Sequence, residues 1–245
     1  MSPEVAPIEA QMLTQVWVPF IAALIGGALS LLGSLVSIWR TNKYDRTVRE
    51  EALEQSKAEL AYSAFSKLIN AYNYVANLKK HIDGMFDAAT ADGGGNLEPW
   101  AKIKEIVGAQ DLIEDAKPSE IVFLIDEKRA DLLNDIPLIL KRIANIQSSA
   151  SKYNEVRREA MDHLIENALE HELQEGLQMQ AALTGNAATK GQMLTAQLNN
   201  LIGQIMEHLH EDEEKCWDVL QDFDEAARNR FKHRYPRFEI SRVEA

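Results

Sequence analysis

Residues 17–39 read WVPFIAALIGGALSLLGSLVSIW, 23 consecutive positions without a charged side chain. At a rise of about 1.5 Å per residue, a helix of this length spans about 34 Å, enough to cross the roughly 30 Å hydrocarbon core of a bilayer. Trp17 and Trp39 stand at the two ends, where indole rings favour the headgroup region. The stretch predicts a transmembrane helix with Trp17, Trp39, Arg40 and Lys43 as interfacial anchors.

Two other interpretations of this stretch are less favourable. A buried helix of a soluble core would have to explain why every face lacks charge. A cleaved signal peptide requires a basic segment before a shorter apolar core. Here the preceding residues carry Glu4 and Glu9 and no base, and Arg40 ends the apolar run.

The charges predict an orientation for the span. Residues 1–39 contain no Lys or Arg, whereas Arg40, Lys43, Arg46 and Arg49 follow directly. Because basic residues beside a span stay on the cytoplasmic side, the sequence predicts a cytoplasmic location for everything after the span. We therefore expect an extracytoplasmic tail at 1–16, a span at 17–39, a cytoplasmic helical bundle at 40–235 and a basic tail at 236–245.

The acidic balance limits the possible partners. The chain has 26 basic and 38 acidic residues, a net charge of −12. Because affinity for nucleic acid depends on clustered Lys and Arg, we expect no nucleic-acid partner. The single cysteine, Cys216, excludes a disulfide scaffold.

Small side chains recur on one face of the predicted span. Their spacing of three or four residues keeps them together on a helix, and close backbone approach along such a face is a common way for helices to associate in lipid. The sequence therefore predicts contact with another copy of the chain or with another membrane protein, although small residues are also ordinary components of spans. The predicted packing face consists of Ala22, Gly26, Ser30, Gly33, Ser34 and Ser37.

The rest of the chain predicts an all-α fold. Apolar residues recur close to every 3.6 positions in long segments, and no pair of strands is apparent. We expect an antiparallel bundle of three long helices and about two short ones. The first predicted helix, 41–86, is either continuous with the span or separated from it by a short joint near Asn42. Pro137 either kinks the chain or opens a long helix that reaches about Ala182. The other predicted helices are 100–115, one or two turns at 121–125, 126–134 and 192–235.

The sequence contains no nucleotide-binding, hydrolase or calcium-binding motif, and we predict no cofactor and no enzymatic activity. His208, Asp212 and Cys216 form the best metal-like group, because steps of four residues place them on one helix face and all three side chains can bind zinc. A solvated acidic helix face with Cys216 in the core explains the same pattern, and we favour that interpretation.

The C-terminal stretch Phe231–Phe238 alternates basic and aromatic residues. It could contact anionic lipid headgroups, pair with the nine acidic residues of 205–227, or bind nucleic acid. Pairing within the chain is the interpretation that the acidic neighbourhood favours.

The layout resembles that of many small bacterial inner-membrane proteins, on the residues WVPFIAALIGGALSLLGSLVSIWR followed by TNKYDRTVREE. The resemblance covers about the first fifth of the chain and implies a location but no activity. We expect a single-span, non-catalytic interaction or scaffold module that contacts the lipid bilayer and self-associates. An oligomeric pore or membrane-perturbing effector is the alternative, and a metal-dependent enzyme is a weaker one.

Overall fold

A computed structural model describes residues 18–107, 113–167, 171–174, 178–181 and 183–242, with the backbone alone at 171–174 and 178–181. The first helix, α1, runs Val18–Ala91 and contains 74 residues. It includes the predicted span from Val18 onward, whereas the predicted anchor Trp17 lies outside the described residues.

A glycine-dependent turn ends α1. The N–H of Gly94 donates to the carbonyl of Ala89 at 2.8 Å and that of Gly93 to the carbonyl of Thr90 at 3.2 Å. Gly93 has a φ of 81°, which lacks a steric cost only for glycine. These two bonds close the helix in the pattern common at helix C-termini, so α1 continues five residues beyond the predicted end at Phe86.

Three short helices follow: α2, Pro99–Lys102; α3, Pro118–Ile121; and α4, Phe123–Asp126. The turns expected at 121–125 are therefore present. The predicted helix at 100–115 is wrong, because only its first three residues are helical and residues 103–107 are extended.

Side chains of the next long helix hold the extended segment. The N–H of Ile106 donates to Asn154 Oδ1 and its carbonyl accepts from Asn154 Nδ2, both at 2.8 Å. Tyr153 Oη donates to the carbonyl of Ile103 at 2.7 Å. Because these bonds replace those of a helix and the Ile103 and Ile106 side chains are buried, the extended path satisfies both the backbone and the core.

Helix α5 runs Ala130–Asn167, with Pro137 in its interior, and α6 runs Gly185–Phe231. The short helix predicted at 126–134 is therefore not separate from the long one. The predicted extension of the long helix to Ala182 is also wrong, because strands β1, His171–Gln174, and β2, Gln178–Ala181, pair as an antiparallel hairpin after α5. This hairpin is the exception in an otherwise all-α fold.

The helices pack antiparallel. Ion pairs join Asp135 to Lys215 and Glu159 to Lys190, so residue numbers rise along α5 as they fall along α6. The second half of α1 also opposes α6, since Tyr72 packs on Trp217 with ring centroids 5.0 Å apart. The predicted bundle of three long helices with short connecting helices is confirmed.

Small side chains let α1 approach the core closely. Its buried face carries alanines between larger residues such as Phe65 and Leu68. Close approach raises the number of dispersion contacts that each buried side chain makes. The buried alanines of α1 are Ala58, Ala61, Ala64, Ala71 and Ala76.

The chain divides into two compact units, Met1–Gln55 and Ser56–Ala245. In the first unit, the described residues form the first half of α1 and contribute nothing to the buried core. In the second unit, the core begins at Ala58 and ends at Tyr235. The bundle therefore has a hydrophobic core of its own.

Candidate functional site

The apolar half of α1 is the most unusual surface of the described chain. It is the one described helix that is long and apolar enough to cross a membrane, and none of its most apolar window is buried. Large side chains such as Leu24, Leu31 and Leu35 are 59 to 67 % exposed. A contiguous apolar surface of this size is rare on soluble monomers and indicates a membrane or a partner as its environment.

The small-residue face of this segment is open. A Cβ atom added to Gly26 or Gly33 would meet no other atom within 4 Å. Ser34 Oγ donates to the carbonyl of Leu31 at 2.9 Å, which satisfies the hydroxyl inside its own helix. Contacts within the described chain therefore do not explain the glycines, and Ala22, Ser30 and Ser37 are equally exposed.

A cationic band follows the apolar segment directly. Lys43 Nζ lies 5.5 Å from the ring centroid of Trp39, and Arg46 Nε donates to Glu50 Oε1 at 2.9 Å. Arg40, Lys43 and Arg49 are exposed and form no ion pair with a described acidic side chain. We call Arg40, Lys43, Arg46 and Arg49 the basic collar.

The structure does not bring the three metal candidates together. Asp212 Oδ1 lies 2.6 Å from Arg142 Nη2, an ion pair whose geometry falls short of a hydrogen bond. Cys216 is buried against α1, with its Sγ 4.0 Å from the carbonyl of Leu68, and His208 is exposed. Among the described residues, no three His, Cys, Asp or Glu side chains are placed to hold a metal ion.

Asp212 and Cys216 are both buried in the bundle. Burial raises the pKa of Asp212, with Arg142 opposing that change, and it raises the pKa of the Cys216 thiol to about 12. The thiolate, which is the form that binds metal or reacts, is therefore disfavoured at neutral pH. The core interpretation of Cys216 agrees with this environment.

The C-terminal segment 235–242 packs on α1 and α6. The Phe238 ring stacks on Tyr62 and Phe65, with centroids 5.5 and 5.2 Å apart. Arg242 donates two hydrogen bonds to Glu213 Oε1, at 3.2 and 3.1 Å, and one to Oε2 at 3.1 Å. We call this segment the C-terminal strap.

Two basic residues near the C-terminus form ion pairs with acidic residues of α6. Arg242 pairs with Glu213, and Arg228 Nη2 lies 2.6 Å from Asp224 Oδ2. Both acids belong to the acidic stretch 205–227, but Arg228 and Arg242 lie outside the stretch Phe231–Phe238 for which pairing was predicted. Lys232, His233 and Arg237 remain exposed.

Glu213 is the acidic residue to which the basic groups around the strap contact are paired. Its side chain is 5 % exposed, and Lys79 Nζ on α1 lies 3.3 Å from Oε2. Burial alone would raise the pKa of Glu213, but hydrogen bonds from Arg242 and Lys79 outweigh it and leave this pKa below its ordinary value. One buried carboxylate therefore joins α1, α6 and the strap.

The sequence did not predict a second buried carboxylate, that of Glu120. Lys67 Nζ lies 3.0 and 3.1 Å from its two oxygens, Ser63 Oγ donates at 3.0 Å and the N–H of Lys117 at 2.8 Å. Burial opposes these donors, yet together they lower the pKa of Glu120. Pro118, which begins α3, was the residue in the sequence that indicated a turn at this position. Nothing in the sequence indicated that Glu120 pairs with Lys67 on α1.

The concave surfaces in the described part of the bundle include a larger and a smaller one. The larger, of about 590 Å³, is lined by Trp100, Leu164 and Asn199 among others. The smaller, of about 470 Å³, lies between α5 and α6 and includes Arg142, His208 and Asp212. Arg142 and Asp212 pair with each other, whereas Glu207 and His208 on the same lining are exposed.

Comparisons with known proteins supply no further constraint: no protein-family model, curated protein or solved structure matches the chain. The functional conclusion therefore depends on the geometry of this molecule.

Proposed function

We propose that the protein is a single-span membrane-anchored module that carries a helical bundle and acts by non-catalytic contact with a partner or with copies of itself. The observation that carries this proposal is that no residue in the most apolar window of α1 is buried, whereas the bundle already has a hydrophobic core of its own. Burying that segment in lipid removes its apolar surface from water, at about 25 cal/mol per Å².

The proposed location is the inner membrane of a bacterial cell, with the bundle in the cytoplasm and residues 1–16 outside. The positions of the charges support this orientation, because Lys and Arg are absent before residue 40 and form the basic collar directly after the span.

Cell fractionation tests the anchor. We expect the full-length chain to stay with membranes after alkaline washing and to require detergent for release. A Leu24→Asp, Leu31→Asp double variant places two charges in the apolar segment and should move the protein to the supernatant. The matched variant Leu24→Ile, Leu31→Ile should stay with membranes. Wild-type protein in the supernatant without detergent would contradict the proposal.

The small-residue face is the proposed surface for self-association, because nothing in the described chain covers it. Replacing Gly26, Ser30 and Ser34 by Leu should weaken association in a membrane reporter assay, since the larger side chains hold the helices apart. Ala28 lies on the opposite side of the helix, so Ala28→Leu is the control. Equal association of both variants and the wild type would exclude this face.

A further inference from the structure

The basic collar is a strongly charged surface on an otherwise acidic chain. Residues 40–49 hold four bases and one acid, Asp45, whereas the whole chain carries −12. All ten residues are exposed, so the structure leaves these charges to the surroundings.

The four bases wind around one half of the helix. Successive members are three residues apart, so each is rotated by about 60° from the one before, and the series rises about 13 Å along the axis. Asp45 falls outside this half. Glu50 lies within it, one turn beyond Arg46, and pairs with Arg46.

The first two members of the collar lie at the depth of the lipid headgroups. Trp39 marks the end of the apolar segment, and Lys43 Nζ lies over its ring rather than pointing away along the helix. The headgroup layer on each side of a bilayer is about 5 to 8 Å thick. Arg40 and Lys43 fall within that layer, and the long side chain of Arg49 can reach back toward it.

We propose that the basic collar binds anionic phospholipid headgroups and so surrounds the span with anionic lipid. Three of the four cations, Arg40, Lys43 and Arg49, are free to pair with phosphate, and basic residues directly beside a span attract anionic lipid within about one Debye length. This inference rests on the proposed membrane span and adds the class of lipid that the span selects.

Quenching of Trp39 fluorescence tests the inference on the full-length chain in phosphatidylcholine vesicles. The vesicles carry the same mole fraction of chain-brominated phosphatidylglycerol or chain-brominated phosphatidylcholine. Trp17→Phe removes the other indole of the span, and Trp100 and Trp217 lie in the bundle. We expect local enrichment of the anionic lipid of about fivefold, the ratio given by one cation near the surface, and therefore stronger quenching by brominated phosphatidylglycerol.

Three variants locate the effect. The triple variant Arg40→Gln, Lys43→Gln, Arg49→Gln should be quenched equally by both lipids. The charge-preserving variant Arg40→Lys, Lys43→Arg, Arg49→Lys should keep the preference. The control Lys104→Gln, Lys128→Gln, Lys141→Gln removes the same charge from exposed positions of the bundle and should also keep it.

The outcomes separate this inference from the proposed function. Equal quenching of the wild type by both lipids would overturn lipid selection while leaving the span intact. A preference that survives in the Gln variant of the collar would assign it to another surface and overturn the inference. Quenching by neither lipid would overturn the membrane span itself.

Discussion

Glu213 is the acidic residue that joins α1, α6 and the C-terminal strap through ion pairs. Its carboxylate is buried between Lys79 and Arg242, and Lys79 Nζ also lies 3.0 Å from His210 Nδ1. A buried carboxylate with two cationic donors stabilises the fold only while it is charged. The stability of this contact must therefore depend on pH.

The first prediction follows from that dependence. Because the folded-state pKa of Glu213 lies below its ordinary value of 4.5, its stabilising effect is complete above about 4.5 and is lost as the pH falls through the folded-state pKa. Glu213→Gln should lower the free energy of unfolding by about 1 to 3 kcal/mol at neutral pH. The gap from the wild type should shrink in acid, as measured by urea unfolding.

The exposed Glu225 on the same helix provides the control for this prediction. Glu225→Gln should change the stability little at any pH. A gap for Glu213→Gln that stays constant from neutral pH down to acid would show that the carboxylate acts through shape rather than charge.

At the scale of elements, the strap is held by stacked rings and one ion-paired anchor. Lys232 has a φ of 52°, unusual for a residue with a Cβ, at the joint between α6 and the strap. The chain turns sharply at this residue. The contacts of the strap with α1 and α6, rather than the backbone conformation of Lys232, hold the strap in place.

The second prediction concerns those contacts. Phe238→Ala removes the ring that stacks on Tyr62 and Phe65 and should lower the free energy of unfolding by about 2 kcal/mol. Arg237 is already exposed, but release of the strap should let its backbone enter the trypsin active site, so cleavage after Arg237 should accelerate in a time course followed by mass spectrometry.

The exposed neighbour Glu239 serves as the control residue, and Glu239→Ala should be cleaved at the wild-type rate. Unchanged cleavage of Phe238→Ala would mean that Arg242 and Glu213 alone hold the strap.

The elements show where sequence reasoning worked. The long helices were predictable because their apolar periodicity lasts for many turns. The extended segment at 103–107 was not, because its hydrogen bonds come from Asn154 and Tyr153, about fifty residues away in sequence. Ile103 and Ile106 match a helical spacing as well as they match this path, so only the tertiary partners distinguish the two.

The hairpin of β1 and β2 was missed for a similar reason. Apolar and helix-forming residues continue past Asn167, and no glycine or proline stands where α5 ends. The sequence likewise predicted some parts of the candidate site and not others. The exposed apolar segment and the collar are contiguous in sequence and were visible there, whereas Glu213 and Glu120 acquire their partners only in the fold.

At the scale of the whole molecule, the two compact units require different environments. Residues 18–55 are exposed except for the half-buried Glu54. The core of the bundle begins at Ala58. Among the described residues, removal of the first unit therefore removes no core side chain.

The third prediction is that a chain starting at Ser56 folds without membrane or detergent. Its free energy of unfolding in urea should change by less than about 1 kcal/mol relative to the full-length chain in mild detergent, because surface positions contribute little. A chain starting at Ser66 also lacks Phe65 and three buried alanines, and it should be clearly less stable. Similar instability of both truncated chains would show that the bundle requires the apolar helix.

The lone thiol of the molecule has a practical consequence. Cys216 is the single cysteine of the chain, it is buried, and its high pKa suppresses the reactive thiolate. A maleimide can therefore label the native protein only when α6 separates from α1. Labelling rates in intact vesicles thus measure how often the closed bundle opens, and they do so without an introduced probe.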